Sequence, residues 1–273
     1  MNYSPLWFIF SHNGNLLLRV NGELPQGDKP PQEAGALLHT INWHPETPAK
    51  EDGDTNTTSY KAIAAQATDS QVSAITLKEG DLKFVPLREC FFILSPEQYA
   101  LAAKMEELLH WHIHSRFCPC CGAQMQRATQ ISKRCPNCGY EAWPSLQIAI
   151  IVLIKREPGE LLLVRAKNLK GHYMGLVAGF VETGETLEQA VEREVSEETG
   201  LKIQNLKYFK SQIWPFPSNL MAAFVADYHS GTLRLQQSEL ADGGWFTRDT
   251  LPPLPDQASI ARQMIEEWRK GNI

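Results

Sequence analysis

The sequence predicts a two-domain protein of the α/β or α+β class, with a metal-binding ribbon between the domains. Five of its six cysteines lie between residues 118 and 138. An almost continuous apolar run, Gln147–Ile154, is rich in β-branched residues and predicts a buried central strand. Strand-like and helical segments alternate after it, and 273 residues are enough for two hydrophobic cores.

The composition is that of an ordinary folded protein. Hydrophobic residues make up 43% and charged residues 21%, which excludes disordered, collagen-like and coiled-coil classes. The net charge of -5 provides no overall positive field for nucleic acid or an anionic membrane. The sequence contains neither a membrane-spanning run of roughly 18 apolar residues nor a signal-peptide pattern. We therefore expect a cytoplasmic protein with no membrane partner.

Residues 1–114 are predicted to form an N-terminal domain of strands followed by a helix. The predicted segments are a hairpin with strands at 6–10 and 16–18, a surface loop at 45–59, strands near 74–77 and 84–87, and a helix over 96–114. Ser95 is the expected N-cap of that helix. His110, His112 and His114 lie near its end, where solvated or packing roles are favoured over metal ligation.

Two cysteine knuckles define residues 115–143 as a ribbon. Cys118-Pro-Cys-Cys121-Gly and Cys135-Pro-Asn-Cys138-Gly both follow the pattern C-P-x-C-G. Each knuckle places two thiolates together, and four thiolates are the set that a structural zinc ion prefers. We expect one structural Zn²⁺ per chain. Cys120 is interpreted as a bystander, and Cys90 as buried or free.

Residues 144–273 are predicted to form a second domain of the α/β or α+β class. Its predicted strands lie at 147–154, 161–164, 205–212 and 220–228, and its predicted helices at 186–199 and 257–269. In the first helix, Thr186 and Gln189 form a capping box and Gly200 supplies the stop.

Three carboxylates are expected on the inward side of this first helix. At 100° per residue, Glu194, Glu197 and Glu198 fall on the side that carries the apolar stripe. Like charges on such a face repel one another, so they need a cation, and hard oxygen ligands favour Mg²⁺ or Mn²⁺. The neighbouring Arg193 is expected to orient a carboxylate or the preceding loop.

Residues 179–201 resemble the Nudix box, G-x5-E-x7-R-E-U-x-E-E-x-G-U, where U is aliphatic. The matching positions are Gly179, Glu185, Arg193, Glu194, Val195, Glu197, Glu198, Gly200 and Leu201. The resemblance implies a mixed sheet sandwiched by helices and metal-dependent hydrolysis of a nucleoside diphosphate derivative. It makes Arg193, Glu194, Glu197 and Glu198 catalytic. It also assigns the catalytic metal to Ala178, Glu194, Glu198 and Glu239.

Residues 211–221 resemble the SQPWPFPxS array of the NADH pyrophosphatase subfamily, which also carries a zinc ribbon. The resemblance implies hydrolysis of NAD(H) to AMP and nicotinamide mononucleotide, a homodimer, and NAD-capped RNA as a further substrate. The N-terminal domain would then be a degenerate Nudix-like domain. The substrate contacts implied or expected are Gln212, Ile213, Trp214, Pro215, Phe216, Pro217, Ser218, Asn219, Ala261, Arg88, Trp143 and Phe180.

Four positions depart from the subfamily pattern. Ile213 replaces a proline, Asn219 replaces a serine, and Trp143-Pro144-Ser145 stands where Tyr-Pro-Arg is common. Gln130 stands roughly where some relatives have glutamate. Two alternatives therefore remain open. One is a Nudix hydrolase of another compound, such as ADP-ribose, a nucleotide sugar or a diadenosine polyphosphate. The other is a non-catalytic, nucleic-acid-binding regulator, which the intact glutamates disfavour.

Overall fold

The computed structural model describes residues 5–31, 38–43, 62–68, 70, 72, 81–167 and 171–273. The backbone contacts divide the chain into two compact units, residues 1–145 and 146–273. The predicted loop at 45–59 and the predicted strand near 74–77 lie outside the described residues. No helix in the described ranges is long and apolar enough to cross a membrane.

The first unit contains a five-stranded sheet in the order β3-β4-β1-β2-β5. Its strands are β1 (Leu6–Phe10), β2 (Asn15–Arg19), β3 (Leu38–Trp43), β4 (Ala62–Gln66) and β5 (Leu82–Pro86). Two helices follow, α1 (Leu87–Cys90) and α2 (Pro96–His114). The predicted β1–β2 hairpin is confirmed, and so is the cap, because the Ser95 side chain accepts a hydrogen bond from the Gln98 backbone N–H.

Helix α2 buries its apolar residues against one face of this sheet. Met105 and Leu108 belong to the same buried cluster as Phe8, Phe10 and Leu16. The ribbon follows α2 as a three-stranded sheet of β6 (Gln126–Thr129), β7 (Ser132–Arg134) and β8 (Glu141–Ala142). The first unit therefore ends in a small sheet attached to a helix-covered larger one.

The second unit contains a six-stranded mixed sheet. Five strands follow the order β12-β13-β9-β10-β14, and β11 pairs with β9. The strands are β9 (Gln147–Arg156), β10 (Glu160–Ala166), β11 (Val177–Phe180), β12 (Lys202–Trp214), β13 (Asn219–Ser230) and β14 (Leu240–Thr247). The helices are α3 (Leu187–Thr199) and α4 (Ile260–Lys270).

Strand β9 is the centre of the second unit, as its apolar run predicted. Ile150 and Val152 pack in a cluster with Val191 of α3, whereas Ile151 and Leu153 pack with Met264 of α4. Alternate side chains of one strand thus supply two cores on opposite faces of the sheet. The predicted fold class, a mixed sheet sandwiched by helices, is confirmed.

The two larger sheets have the same strand order and the same strand directions. In the first unit, β1 is parallel to β4 and antiparallel to β2, which pairs antiparallel with β5. In the second unit, β9 is parallel to β13 and antiparallel to β10, which pairs antiparallel with β14. A helix follows the last strand in both units. Between β2 and β3, however, the described residues 20–31 contain no counterpart of α3.

Candidate active site

Helix α3 presents the carboxylates that the sequence singled out. It begins at Leu187, because the Thr186 side chain accepts from the Gln189 N–H and the Gln189 side chain accepts from the Thr186 N–H. It ends at Gly200, whose φ of 69° lies in the left-handed region. Both predicted helix signals are confirmed, and they fix the residues that α3 turns toward the sheet.

Two of the three carboxylates lie inward. Glu194 is 9% exposed and Glu198 is 5% exposed. The prediction that Glu197 shares this side is wrong, since 54% of its side chain is exposed. Its position at the edge of the inward arc leaves it on the flank of α3, where it binds Arg193 instead.

Arg193 connects the helix to the loop before it. Its guanidinium binds Glu185 through two hydrogen bonds, from Nε at 2.6 Å and from Nη2 at 2.9 Å. Nη1 donates to Glu194 at 2.9 Å and to Glu197 at 3.1 Å. Nη2 also donates to the carbonyl of Phe180 at 2.9 Å. The prediction that Arg193 orients carboxylates and the loop is confirmed.

This network also shows the role of Glu185, which sequence reasoning left without one. Glu185 accepts from the backbone N–H of Glu182 at 2.9 Å as well as from Arg193. These donors lower the pKa of Glu185 to about 2, with the hydrogen bonds from Arg193 as the largest cause. Glu185 therefore stays ionised and anchors Arg193. The fixed spacing of eight residues between the two was the available signal.

Gly179 allows Glu194 to lie against strand β11. A Cβ atom at position 179 would overlap the Glu194 carboxyl group. Hydrogen is therefore the only side chain at position 179 that leaves Glu194 undisturbed. This close approach accounts for the glycine that opens the motif.

The remaining predicted metal ligands line a cavity together with Glu198. The cavity has a volume of about 450 Å³, and its walls include Ala178 of β11, Glu198, and Ser238 and Glu239 before β14. The loop that carries Glu239 is tied to α3 by the hydrogen bond from the Gln236 N–H to the Glu198 carbonyl, at 2.8 Å. The structure thus brings Ala178, Glu198 and Glu239 to one cavity.

Burial and mutual repulsion set the protonation of the inward carboxylates. Desolvation and, to a smaller extent, the charges of Glu194 and Glu239 raise the pKa of Glu198 to about 7. Desolvation also raises the pKa of Glu194, against the opposing effect of Arg193. Buried Oε2 of Glu198 has no hydrogen-bond partner among the described residues. An orphaned carboxylate oxygen beside two other carboxylates fits a bound divalent cation.

The four knuckle cysteines form a second site in the ribbon. Their sulfur atoms lie within 4.8 Å of one another, with two pairs at 3.5 Å. Sulfur ligands about 2.3 Å from a tetrahedral zinc ion are about 3.8 Å apart, so the set fits such an ion. Gly122 and Gly139 have φ values of 74° and 77°, and their N–H groups close the knuckle turns. Cys120 is exposed, whereas Cys90 is buried in the first unit.

The predicted substrate wall, residues 212–219, joins β12 to β13. Residues 215–218 form a turn, in which the Phe216 N–H donates to the Trp214 carbonyl at 2.8 Å. The rings of Trp214 and Phe216 meet edge to face at 5.1 Å. Asn219 donates from Nδ2 to the Phe216 carbonyl at 3.0 Å, which holds the turn.

Gln212 is occupied by contacts inside the protein. Its Nε2 donates to the Ala258 carbonyl and its Oε1 accepts from the Ile260 N–H, both at 2.7 Å. These bonds hold the start of α4, and hence Ala261, next to the substrate wall. The expected contact between Gln212 and substrate stays a prediction.

The other predicted substrate residues occupy different places. Three of them expose apolar surface: Phe180 is 54%, Ile213 46% and Phe216 37% exposed. Arg88 lies in α1, and Trp143 follows β8 with 53% exposed. Both belong to the first unit, and their contact with substrate stays a prediction.

Comparisons with known proteins show which family the chain resembles. A NUDIX domain profile matches residues 145–268. The chain is 43% identical over 190 residues to "NAD-capped RNA hydrolase NudC" from Vibrio vulnificus (strain CMCP6), covering 69% of this chain and 72% of the relative. It is 36% identical over 263 residues to the protein of the same name from Yersinia pestis (strain Pestoides F), covering 96% and 91%.

This chain belongs to the Nudix hydrolases. Within them it belongs with the NudC proteins, because the match to the Yersinia protein extends through both units. A solved Nudix hydrolase from Nitrosomonas europaea superimposes on 57% of this chain and 90% of its own, with 18% identity and a TM-score of 0.49. The resemblance stated from residues 179–201 is confirmed.

The Nudix glycine gives a first test. We expect Gly179→Ala to displace the Glu194 carboxylate and to weaken Mn²⁺ binding by at least about tenfold, which corresponds to the loss of one well-placed ligand interaction. Mn²⁺ titration by electron paramagnetic resonance measures this. Gly244→Ala is the matched control, because its Cβ would meet only the Phe246 ring at 3.6 Å. Equal Mn²⁺ affinity in wild type and Gly179→Ala would contradict the close-approach argument.

The raised pKa of Glu198 gives a second test. A folded-state pKa of about 7, above the ordinary 4.5, means that Glu198 stabilises the metal-free fold most below pH 4.5. This contribution is lost as the pH rises through 7, where a divalent cation can replace the proton. We therefore expect Mn²⁺ to raise the unfolding temperature more at pH 8 than at pH 5.5.

Calorimetry of wild type and Glu198→Gln checks this expectation. The variant has no titrating group at position 198, so its Mn²⁺-induced shift should be smaller and less dependent on pH. An identical shift at both pH values in the wild type would show that Glu198 does not exchange a proton for the metal.

Proposed function

We propose that this protein hydrolyses the pyrophosphate bond of NAD(H), giving AMP and nicotinamide mononucleotide, and that it removes NAD caps from RNA. The observation that carries this proposal is the cavity lined by the buried Glu198 and by the exposed Glu239, in a chain related to NAD-capped RNA hydrolases along both units. The same pyrophosphate bond is cut in the free dinucleotide and in the capped RNA, so one site serves both.

The residues of the candidate active site have separate roles in this proposal. Glu194, Glu198 and Glu239, with the carbonyl of Ala178, would hold Mg²⁺ or Mn²⁺. When bound, such a cation neutralises phosphate charge and lowers the pKa of a water molecule. Glu198, whose buried Oε2 has no hydrogen-bond partner among the described residues, would take the proton of the attacking water. Arg193 keeps Glu194 in place and Glu197 beside it.

The wall of residues 212–219 supports a ligand with flat rings. Phe216 and Ile213 are partly exposed, and Phe180 of β11 is more than half exposed. Aromatic and apolar surfaces of this kind bind bases by stacking. We propose that this wall and Ala261 bind the dinucleotide. Substrate contact by Arg88 and by Trp143 stays a prediction from the sequence.

The proposal extends to the whole chain. The ribbon, residues 115–143, would hold one structural Zn²⁺ through its four knuckle cysteines, and residues 144–273 would be the catalytic domain. The shared strand order of the two sheets supports an N-terminal domain, residues 1–114, that is a degenerate Nudix-like copy. It has no α3 counterpart in the described residues between β2 and β3. A homodimer and a cytoplasmic location stay predictions from the sequence.

The substrate assignment is tested by comparing kcat/KM for NADH, NAD⁺, ADP-ribose and diadenosine tetraphosphate, with Mg²⁺ or Mn²⁺ present. An NAD-capped RNA and the same RNA with a 5′ triphosphate complete the set. We expect NADH or NAD⁺ to be among the best small substrates, and only the capped RNA to release nicotinamide mononucleotide. A clear preference for ADP-ribose or diadenosine tetraphosphate would favour the alternative Nudix substrate.

The catalytic role of the inward carboxylates is tested by Glu198→Gln. Loss of the ligand and of the proton acceptor should lower kcat for NADH by at least about 10²-fold. Glu192→Gln is the matched control, because Glu192 is an exposed glutamate of the same helix. A wild-type kcat in folded Glu198→Gln would rule out this mechanism.

Zinc binding by the ribbon is tested by Cys118→Ser combined with Cys121→Ser. Two thiolates cannot complete the tetrahedral site, so the purified variant should lose its zinc, as measured by elemental analysis. Cys120→Ser is the control, since Cys120 lies outside the four-sulfur set, and it should keep one zinc per chain. Retention of zinc by the double variant would mean that other residues hold the metal.

A further inference from the structure

Lys133 is a buried lysine whose charge is satisfied by the end of a helix. It lies in β7 of the ribbon and is 3% exposed. Its Nζ donates to the carbonyl of His112 at 2.7 Å and to that of Ser115 at 3.2 Å. These carbonyls lie at the C-terminal end of α2, where backbone acceptors lack helical partners and the helix dipole is negative. The ammonium also lies 5.2 Å from the centre of the Trp111 ring.

The backbone of Lys133 connects the end of α2, which its side chain binds, to the strand before Trp143. Strand β7 pairs with β8, and Lys133 lies opposite Ala142, the residue directly before Trp143. Lys133 also lies opposite Arg127 of β6, so it is in the central strand of the ribbon sheet. Fixing Lys133 on α2 therefore fixes strand β8, which ends at Ala142 directly before Trp143.

Helix α2 is in turn packed with the segment that carries Arg88. Leu87 and Cys90, which flank Arg88 in α1, belong to the same buried cluster as Leu108 and Leu109 of α2. Helix α2 thus contacts both the segment that carries Arg88 and the Lys133 side chain of the ribbon. Arg88 and Trp143 are the substrate contacts expected from the first unit.

We propose that Lys133 is a positioning residue for substrate binding, which holds the ribbon and its Trp143 in a fixed place relative to α2 and Arg88. This inference rests on the proposed hydrolysis of NAD(H). Lys133 acts through Trp143 and does not touch the reacting atoms. Loss of its ammonium group therefore affects substrate affinity and leaves the chemical step nearly unchanged.

The test compares Lys133→Met with wild type in the full-length, zinc-loaded protein. Methionine keeps the apolar stem and removes the donors to the helix end. We expect KM for NADH to rise at least about fivefold, the effect of losing hydrogen bonds from a charged group, while kcat changes less than about twofold. Lys133→Arg restores the charge and the donors, so it should recover most of the affinity.

Arg134→Met is the matched control. The side chain of Arg134 is 64% exposed. Its guanidinium lies 3.7 Å from the carboxylate of Glu141, which is opposite Arg134 on strand β8. Removing this neighbouring charge should leave KM within about twofold of wild type, as expected for an exposed ion pair. Zinc content and unfolding temperature, measured for every variant, show whether the ribbon is intact.

A double-mutant cycle with Trp143→Ala decides whether Lys133 acts through Trp143. We expect Lys133→Met to add little to the KM of Trp143→Ala. An unchanged KM in Lys133→Met, or the same fold-increase with and without Trp143, would overturn the inference. NADH affinity of the metal-free protein, followed by NADH fluorescence, gives the same comparison without turnover. If wild type itself does not hydrolyse NADH, it is the proposed function that fails.

Discussion

Two buried carboxylates one helical turn apart, Glu194 and Glu198, impose the constraint on which the second unit depends. Each is desolvated, and the charge of Glu194 further raises the pKa of Glu198. The surroundings of the two carboxylates differ. Arg193, held by Glu185, donates to Glu194, whereas Glu198 is left facing a cavity shared with Glu239. Helix α3 packs its apolar side on the sheet and buries these two carboxylates with it. This arrangement fits a bound divalent cation.

The surrounding fold places these groups at one point. Strand β11 lies close enough to α3 that Gly179 is required beside Glu194. The loop before β14 is bonded to the last turn of α3, which brings Glu239 to Glu198. Strand β9, buried on both faces, supports β11 and β13 at once. The order of strands in the sheet thus brings together predicted metal ligands that are far apart in the sequence.

Much of this could be predicted from the sequence because the signals were local. Capping residues Thr186 and Gln189 fixed the start of α3, and the cysteine spacing predicted the ribbon. The prediction that Glu197 lies inward was wrong. Glu197 is at the edge of the inward arc, and the helical angles do not report its hydrogen bond with Arg193. Strands β11 and β14 were not predicted, since one has four residues and the other contains Gly243 and Gly244. The contacts of Gln212 with α4 join residues 46 and 48 positions away, which no local pattern reports.

We propose that the inward carboxylates of α3 bind a divalent cation. The most direct measurement is the Mn²⁺ dissociation constant at pH 8 for wild type and for the double variant Glu194→Gln with Glu198→Gln. The account predicts specific Mn²⁺ binding by the wild type and its loss in the double variant. It also predicts that the metal-free double variant unfolds at the same or a higher temperature, because two buried like charges are removed. Equal Mn²⁺ affinity in the two proteins would contradict the account.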